Sequence, residues 1–251
     1  MDEILFWVIA VLAAMLVGMG KGGIPVVGML GVPVLALVMP PVAAAGLLLP
    51  VYVVSDMFGL WAYRRAFNRR VLALLLPGAI LGIAIGWATA HIVPEPAVTL
   101  MIGVIGFVFA VNMLLRRQLD GAPKEPRVLP GLFWGGLTGF TSFVSHSGAP
   151  PYQVYTLPLR LEKMVYAGTA TIAFAVINAV KLVPYWALGQ LNGDNLARAA
   201  VLFAPAAIAV FLGVRIVKIL PEKLFFKLVT FALGLISLKL VFDGLRGLGW
   251  V

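Results

Sequence analysis

Continuous apolar runs, broken by Gly, Pro and small groups of charge, succeed one another along almost the whole chain. They cover residues 4–19, 24–39, 42–63, 71–91, 97–115, 129–144, 149–159, 166–188, 196–214 and 224–241. Strands of an outer-membrane barrel would alternate polar and apolar positions. These runs do not, and they predict helices. A helix needs about 20 apolar residues to cross the hydrocarbon core of a bilayer, and six of the runs are long enough. The other four, 4–19 with 24–39 and 129–144 with 149–159, are about 17 residues or shorter. A patch of Gly, Pro or Ser interrupts each pair, so both read as broken or re-entrant hairpins.

Composition sharpens this picture. Of 251 residues, 62% are apolar and 12% charged, against about half and about a quarter in a soluble domain. That balance excludes an ordinary soluble enzyme and provides for about eight crossings. The expected fold class is an all-α integral membrane protein of about eight transmembrane helices. With no Cys and two His, there is no disulfide, thiolate site or dense metal-ligand cluster, and neither metal nor cofactor is expected. The net charge of +9 lies in clusters between apolar runs and forms no basic face, so the expected partner is the lipid bilayer and not nucleic acid. Met1-Asp2-Glu3 lacks the positive start of a cleavable signal, and the first helix is expected to be kept.

The halves of the chain repeat one another. Gly18-Met19-Gly20-Lys21-Gly22-Gly23-Ile24-Pro25 aligns with Phe143-Val144-Ser145-His146-Ser147-Gly148-Ala149-Pro150, and Val32-Pro33 falls on Leu157-Pro158. With small gaps, Ala45-Gly46 matches Ala167-Gly168, Asp56 matches Asn178, Tyr63 matches Tyr185, Pro77 matches Pro205, and Val93-Pro94-Glu95 matches Leu220-Pro221-Glu222. The expected organisation is a first repeat over 1–115, a cytoplasmic linker over 116–128 and a second repeat over 129–251. Each repeat holds one hairpin and three spanning helices.

Lys and Arg in short loops stay on the cytoplasmic side. Four clusters, Arg64–Arg70, Arg116–Arg127, Arg160 with Lys163, and Arg215–Lys227, hold fourteen of the nineteen basic residues. All four lie inside only if each hairpin enters and leaves on one side. Both termini are then periplasmic and the repeats have opposite orientation.

Inverted repeats with paired broken helices are the architecture of a secondary transporter. In each break, small residues precede a Pro at the first turn of the return helix, where unpaired N–H groups and the positive end of the dipole attract an anion. Gly20, Lys21, Gly22, Gly23, Ser145, His146, Ser147 and Gly148 are therefore the candidate substrate-binding residues. The same Gly and Pro residues also serve close helix packing. An ionisable group at membrane depth costs at least about 2.5 kcal/mol, so Lys21 and His146 call for a reason. Lys21 neutralises the anion or snorkels to the cytoplasmic face. His146, with an ordinary pKa of about 6.5, carries positive charge or a transported proton, or sits neutral against a backbone carbonyl. Serine hydroxyls donate to oxyanions or to their own helix backbone. Asp56, Asn178 and Lys181 are coupling or gating candidates. Asp56 takes a proton or pairs with Lys21 when the site is empty, or forms a fixed structural pair. Lys181 adds positive potential or snorkels. Trp61, Tyr63, Tyr185, Trp186 and Trp250 read as interfacial anchors, and Lys239 with Asp243, near the outer end of the last helix, as a structural pair.

The Gly-rich break of Gly18–Pro25 with Pro33 beyond it, the Ala45-Gly46 start of the next helix, and their degenerate copy at Phe143–Pro158 and Ala167-Gly168 resemble the TauE/SafE sulfite exporter family. The resemblance covers nearly the whole chain. It implies a bacterial inner-membrane permease for sulfite, sulfoacetate or another organosulfonate, often exporting and ion-coupled. The second break, Ser145-His146-Ser147-Gly148, departs from the glycine run that the family usually has there. The alternatives are an uncoupled anion channel and, from a different class, a membrane-embedded enzyme or assembly factor. A homo-oligomer is compatible with the chain.

Overall fold

In the computed structural model, residues 3–115, 123–189 and 193–250 are described. Most of the expected linker, with Arg116 and Arg117, lies outside them, as do Met1 and Asp2. The described residues form helices and connections, without a strand. In chain order the helices are α1 (Glu3–Lys21), α2 (Pro25–Gly28), α3 (Gly31–Leu35), α4 (Pro41–Tyr63), α5 (Arg69–Ala88), α6 (Glu95–Leu115), α7 (Val128–Ser145), α8 (Ala149–Thr156), α9 (Lys163–Ala187), α10 (Gly193–Ile219) and α11 (Glu222–Gly247). A 3-10 turn, Leu157–Leu159, follows α8.

Among the described residues, α1, α4, α5, α6, α9, α10 and α11 are long and apolar enough to cross a membrane. The seventh of these is a correction, since the first run was expected to stop at Met19. Its helix continues through Gly20 to Lys21 because the lysine is buried in an ion pair and so does not end the span. The short halves of the hairpins also differ. After α7, α8 is one continuous helix of eight residues, whereas after α1 the chain makes two separate turns, α2 and α3, of four and five residues.

Two compact units are present. One comprises Met1–Phe67 with Ala167–Ile219, the other Asn68–Tyr166 with Leu220–Val251. Each thus draws helices from both halves of the sequence. In the first, α1 and α4 pack on α10. In the second, α5 packs on α7 and α6 on α11. By the repeat correspondence, α1 on α10 and α7 on α5 are the same pairing with the halves exchanged.

Lipid offers no hydrophobic drive for helices to associate, so their packing rests on close approach through small residues. A Cβ on Gly18 would stand 2.1 Å from the Ala206 carbonyl oxygen of α10, and one on Gly22 would stand 2.6 Å from Gly213 Cα. In the second unit, a Cβ on Gly82 would stand 2.0 Å from Gly136 O, and one on Gly139 1.9 Å from Ala79 O. The same chemistry therefore builds the main helix pair of each unit.

Candidate functional site

The first break is held by one stripe of α4. Tyr52, Asp56, Gly59 and Tyr63 recur at the i, i+4, i+7, i+11 spacing that places residues on one helix face. The Tyr52 hydroxyl donates to Gly28 O at 2.7 Å and the Tyr63 hydroxyl to Gly22 O at 2.6 Å. From α9, the Thr171 hydroxyl donates to Lys21 O at 3.1 Å. Gly59 leaves room for this contact, since a Cβ there would lie 2.6 Å from Thr171 Cγ2 and 3.0 Å from Lys21 O. Carbonyls that the end of α1 leaves without helical partners are thus satisfied by α4 and α9.

Inside this clamp the Lys21 ammonium lies 2.8 Å from Asp56 Oδ1. Asp56 Oδ2 accepts from Asn178 Nδ2 at 2.7 Å. The ammonium also faces the Tyr52 ring at 5.1 Å and the Phe174 ring at 5.9 Å from their centroids. Lys181 faces the Tyr185 ring at 5.4 Å and lies within the electrostatic field of Lys21. Exposures of 5% for Lys21, 1% for Asp56 and 1% for Lys181 exclude snorkelling for either lysine. These three are the buried Lys, Arg, Asp and Glu side chains among the described residues, two lysines and one aspartate.

The repeat runs through this cluster. Tyr52 and Phe174, Asp56 and Asn178, Gly59 and Lys181, and Tyr63 and Tyr185 all share an offset of 122 residues. Residues of α4 and α9 at this offset lie together in the cluster, and Asp56 and Asn178 meet in a direct hydrogen bond.

The backbone of the breaks departs from expectation. The Gly22 N–H donates to Gly18 O at 2.9 Å and the Gly23 N–H to Gly20 O at 3.2 Å. Both are spent on the last turn of α1, because that helix runs further than its apolar stretch. Gly20 serves packing, with a notional Cβ 2.4 Å from Gly28 Cα. Gly23 has φ +108°, and a Cβ there would meet the Tyr63 hydroxyl at 2.5 Å and Ala167 Cβ at 2.6 Å. In the second break, Pro150 and Pro151 have no N–H, which leaves Gly148 and Ala149 as the donors at the start of α8. The Ser147 N–H donates to Thr141 O at 3.2 Å. The hydroxyls of Ser145 and Ser147 donate to Thr141 O and Ser145 O, so both serve their own backbone. His146, half-buried, caps the end of α7 in the left-handed region at φ 54°.

Tyr63 and Tyr185 are buried and are not the interfacial anchors expected of them, whereas Trp61, Trp186 and Trp250 are exposed. Lys239 and Asp243 form an exposed i, i+4 pair. Sequence reasoning missed Tyr52, Gly59, Thr171 and Phe174. The α4 spacing and the 122-residue offset would have pointed to all of these but Thr171.

The helices long and apolar enough to cross a bilayer define a multi-pass helical membrane protein with a buried cluster of charge-bearing side chains at a broken helix. Sequence comparison gives the family: a profile described as "Sulfite exporter TauE/SafE" matches residues 4–240, and the chain belongs to that family. No curated protein and no solved structure matches it.

Proposed function

We propose that this chain exports a small sulfur-containing anion, sulfite or an organosulfonate, across the bacterial inner membrane by alternating access coupled to protons, with both termini periplasmic. The observation that carries the reading is the charge of the buried cluster. An anion cannot give up its hydration at membrane depth without compensation, and the buried cluster sets two lysine side chains against one carboxyl group. The anion takes the Lys21 ammonium, with Lys181 adding positive potential, and Asp56 takes Lys21 back when the anion leaves. Asn178 holds the carboxylate in place for that exchange. The second break brings its own candidates, His146 and the N–H groups of Gly148 and Ala149. Membership of a sulfite exporter family supports the substrate class.

Flux of labelled sulfite in proteoliposomes, with and without a pH gradient, tests the reading. Gradient-driven accumulation by the wild type, lost in Lys21→Met and Lys181→Met, is the expected result. Equal flux with and without the gradient leaves a channel as the better description. Wild-type flux in both variants removes the cluster from the pathway. His146→Gln is expected to flatten the pH profile of flux between about pH 5 and 8.

A further inference from the structure

The environment of Lys21 carries a consequence for selectivity, resting on the reading that this ammonium meets the substrate. Its carboxylate partner is on one side, at 2.8 Å. Two aromatic rings, Tyr52 at 5.1 Å and Phe174 at 5.9 Å, stand against it elsewhere. The rings come from equivalent positions of the two repeats, and Tyr52 is further fixed by its hydrogen bond to Gly28 O. An aromatic face is the negative part of the ring's quadrupole. It attracts the ammonium and repels the oxygens of an anion that replaces Asp56.

An anion that is oxygen on all sides, such as sulfate, has to turn some of its oxygens toward those faces. A sulfonate has one side made of carbon and hydrogen. It can place its oxygens on the ammonium and its carbon chain against the rings, where burial of a methylene is favourable by about 0.8 kcal/mol. We infer that Tyr52 and Phe174 are specificity-determining residues, forming an aromatic wall that makes the Lys21 site discriminate between anions by the carbon substituent on sulfur.

The test measures inhibition of labelled sulfite flux in proteoliposomes by methanesulfonate, ethanesulfonate, propanesulfonate and sulfate. In the wild type, potency should rise with chain length by about fourfold per methylene, the factor equivalent to about 0.8 kcal/mol, and sulfate should be the weakest inhibitor. Phe174→Leu keeps an apolar surface but removes the ring face, so it should narrow the gap to sulfate while leaving much of the ladder. Phe174→Tyr restores the ring in the form found at position 52 and should preserve the ladder, as should Tyr52→Phe. Phe174→Met serves if the leucine variant does not fold. A loss of stability alone lowers the amount of active protein without changing the ratio between inhibitors. An unaltered gap between propanesulfonate and sulfate in Phe174→Leu or Phe174→Met, or no ladder in the wild type, overturns the inference. Lys21→Met separates this failure from that of the underlying reading. If it abolishes sulfite flux while the Phe174 variants keep the full gap to sulfate, the wall alone is wrong. If it leaves flux and every inhibitor at wild-type strength, the ammonium does not meet the substrate and both fall.

Discussion

Removing Asp56 should cost the fold more than removing its partner Lys21, although both variants break the same 2.8 Å ion pair. Deleting one member of a buried pair typically costs about 3–5 kcal/mol, because the other charge is left uncompensated. The two deletions leave different remainders. Asp56→Asn leaves Lys21 and Lys181 together with no buried carboxylate, whereas Lys21→Met leaves Asp56 with Lys181 and with its hydrogen bond from Asn178. Asp56→Asn should therefore fall in the full range, which for a chain of this size corresponds to a thermal midpoint lower by about 6–20 °C. Lys21→Met should lose about half as much. An anion replaces the missing carboxylate, so sulfite should protect Asp56→Asn more than the wild type. At a concentration 100 times its Kd a ligand contributes about 2.7 kcal/mol, enough to return much of the loss. The assay is thermal unfolding of purified protein in detergent, with sulfite titrated in. Equal losses in the two variants, or a midpoint of Asp56→Asn indifferent to sulfite, would refute the charge argument.

Four further outcomes are expected. Gly23→Ala forces a side chain into φ +108° and against Tyr63 and Ala167, so it should lower the midpoint by the equivalent of at least about 1–3 kcal/mol; an unchanged unfolding curve would contradict that backbone. Gly139→Val should prevent α7 from packing on α5, since even a Cβ lies 1.9 Å from Ala79 O, and monodisperse protein on size exclusion would count against the packing. His146→Gly relieves a left-handed residue and should hold or raise the midpoint, the strain being about 1–2 kcal/mol; a clear fall would mean that the contacts of the ring outweigh it. Lys239→Ala breaks an exposed pair and should change stability by less than about 1 kcal/mol, as read from the same unfolding curves.

Long apolar runs were legible because a span must be apolar over its whole length, and α4, α5, α6, α9, α10 and α11 lie where the hydropathy places them. Their internal Pro50, Pro77, Pro184 and Pro205 did not obscure them, since membrane helices accommodate proline. The end of α1 was not legible. A lysine after two glycines reads as a break, and only its burial against Asp56, 35 positions away, keeps the helix intact. The donors of the first break were misread for the same reason, because a longer α1 consumes the N–H groups of Gly22 and Gly23. Tyr63 and Tyr185 were misjudged because a tyrosine near a helix end has the same local sequence whether it anchors at the interface or donates inward. What decides is the partner, Gly22 O for Tyr63, and that contact is long-range.

At two of the position pairs that the 122-residue offset sets between α4 and α9, the paired residues differ in the charge they bring. Identical residues at positions 56 and 178 would be paired carboxyl groups or paired neutral residues, and a buried carboxylate pair at hydrogen-bond distance could not ionise twice. At positions 56 and 178 the stripes differ as Asp and Asn, which removes that repulsion and turns it into a hydrogen bond. At positions 59 and 181 they differ as Gly and Lys. Glycine on α4 lets Lys21 and Thr171 approach, while the lysine on α9 brings the second ammonium. Restoring symmetry at either pair would change the function in a definite direction. On the proposed reading, Asn178→Asp would set a second carboxyl group against Asp56 and Lys181→Gly would remove one of the two buried lysines, so each should weaken sulfite binding.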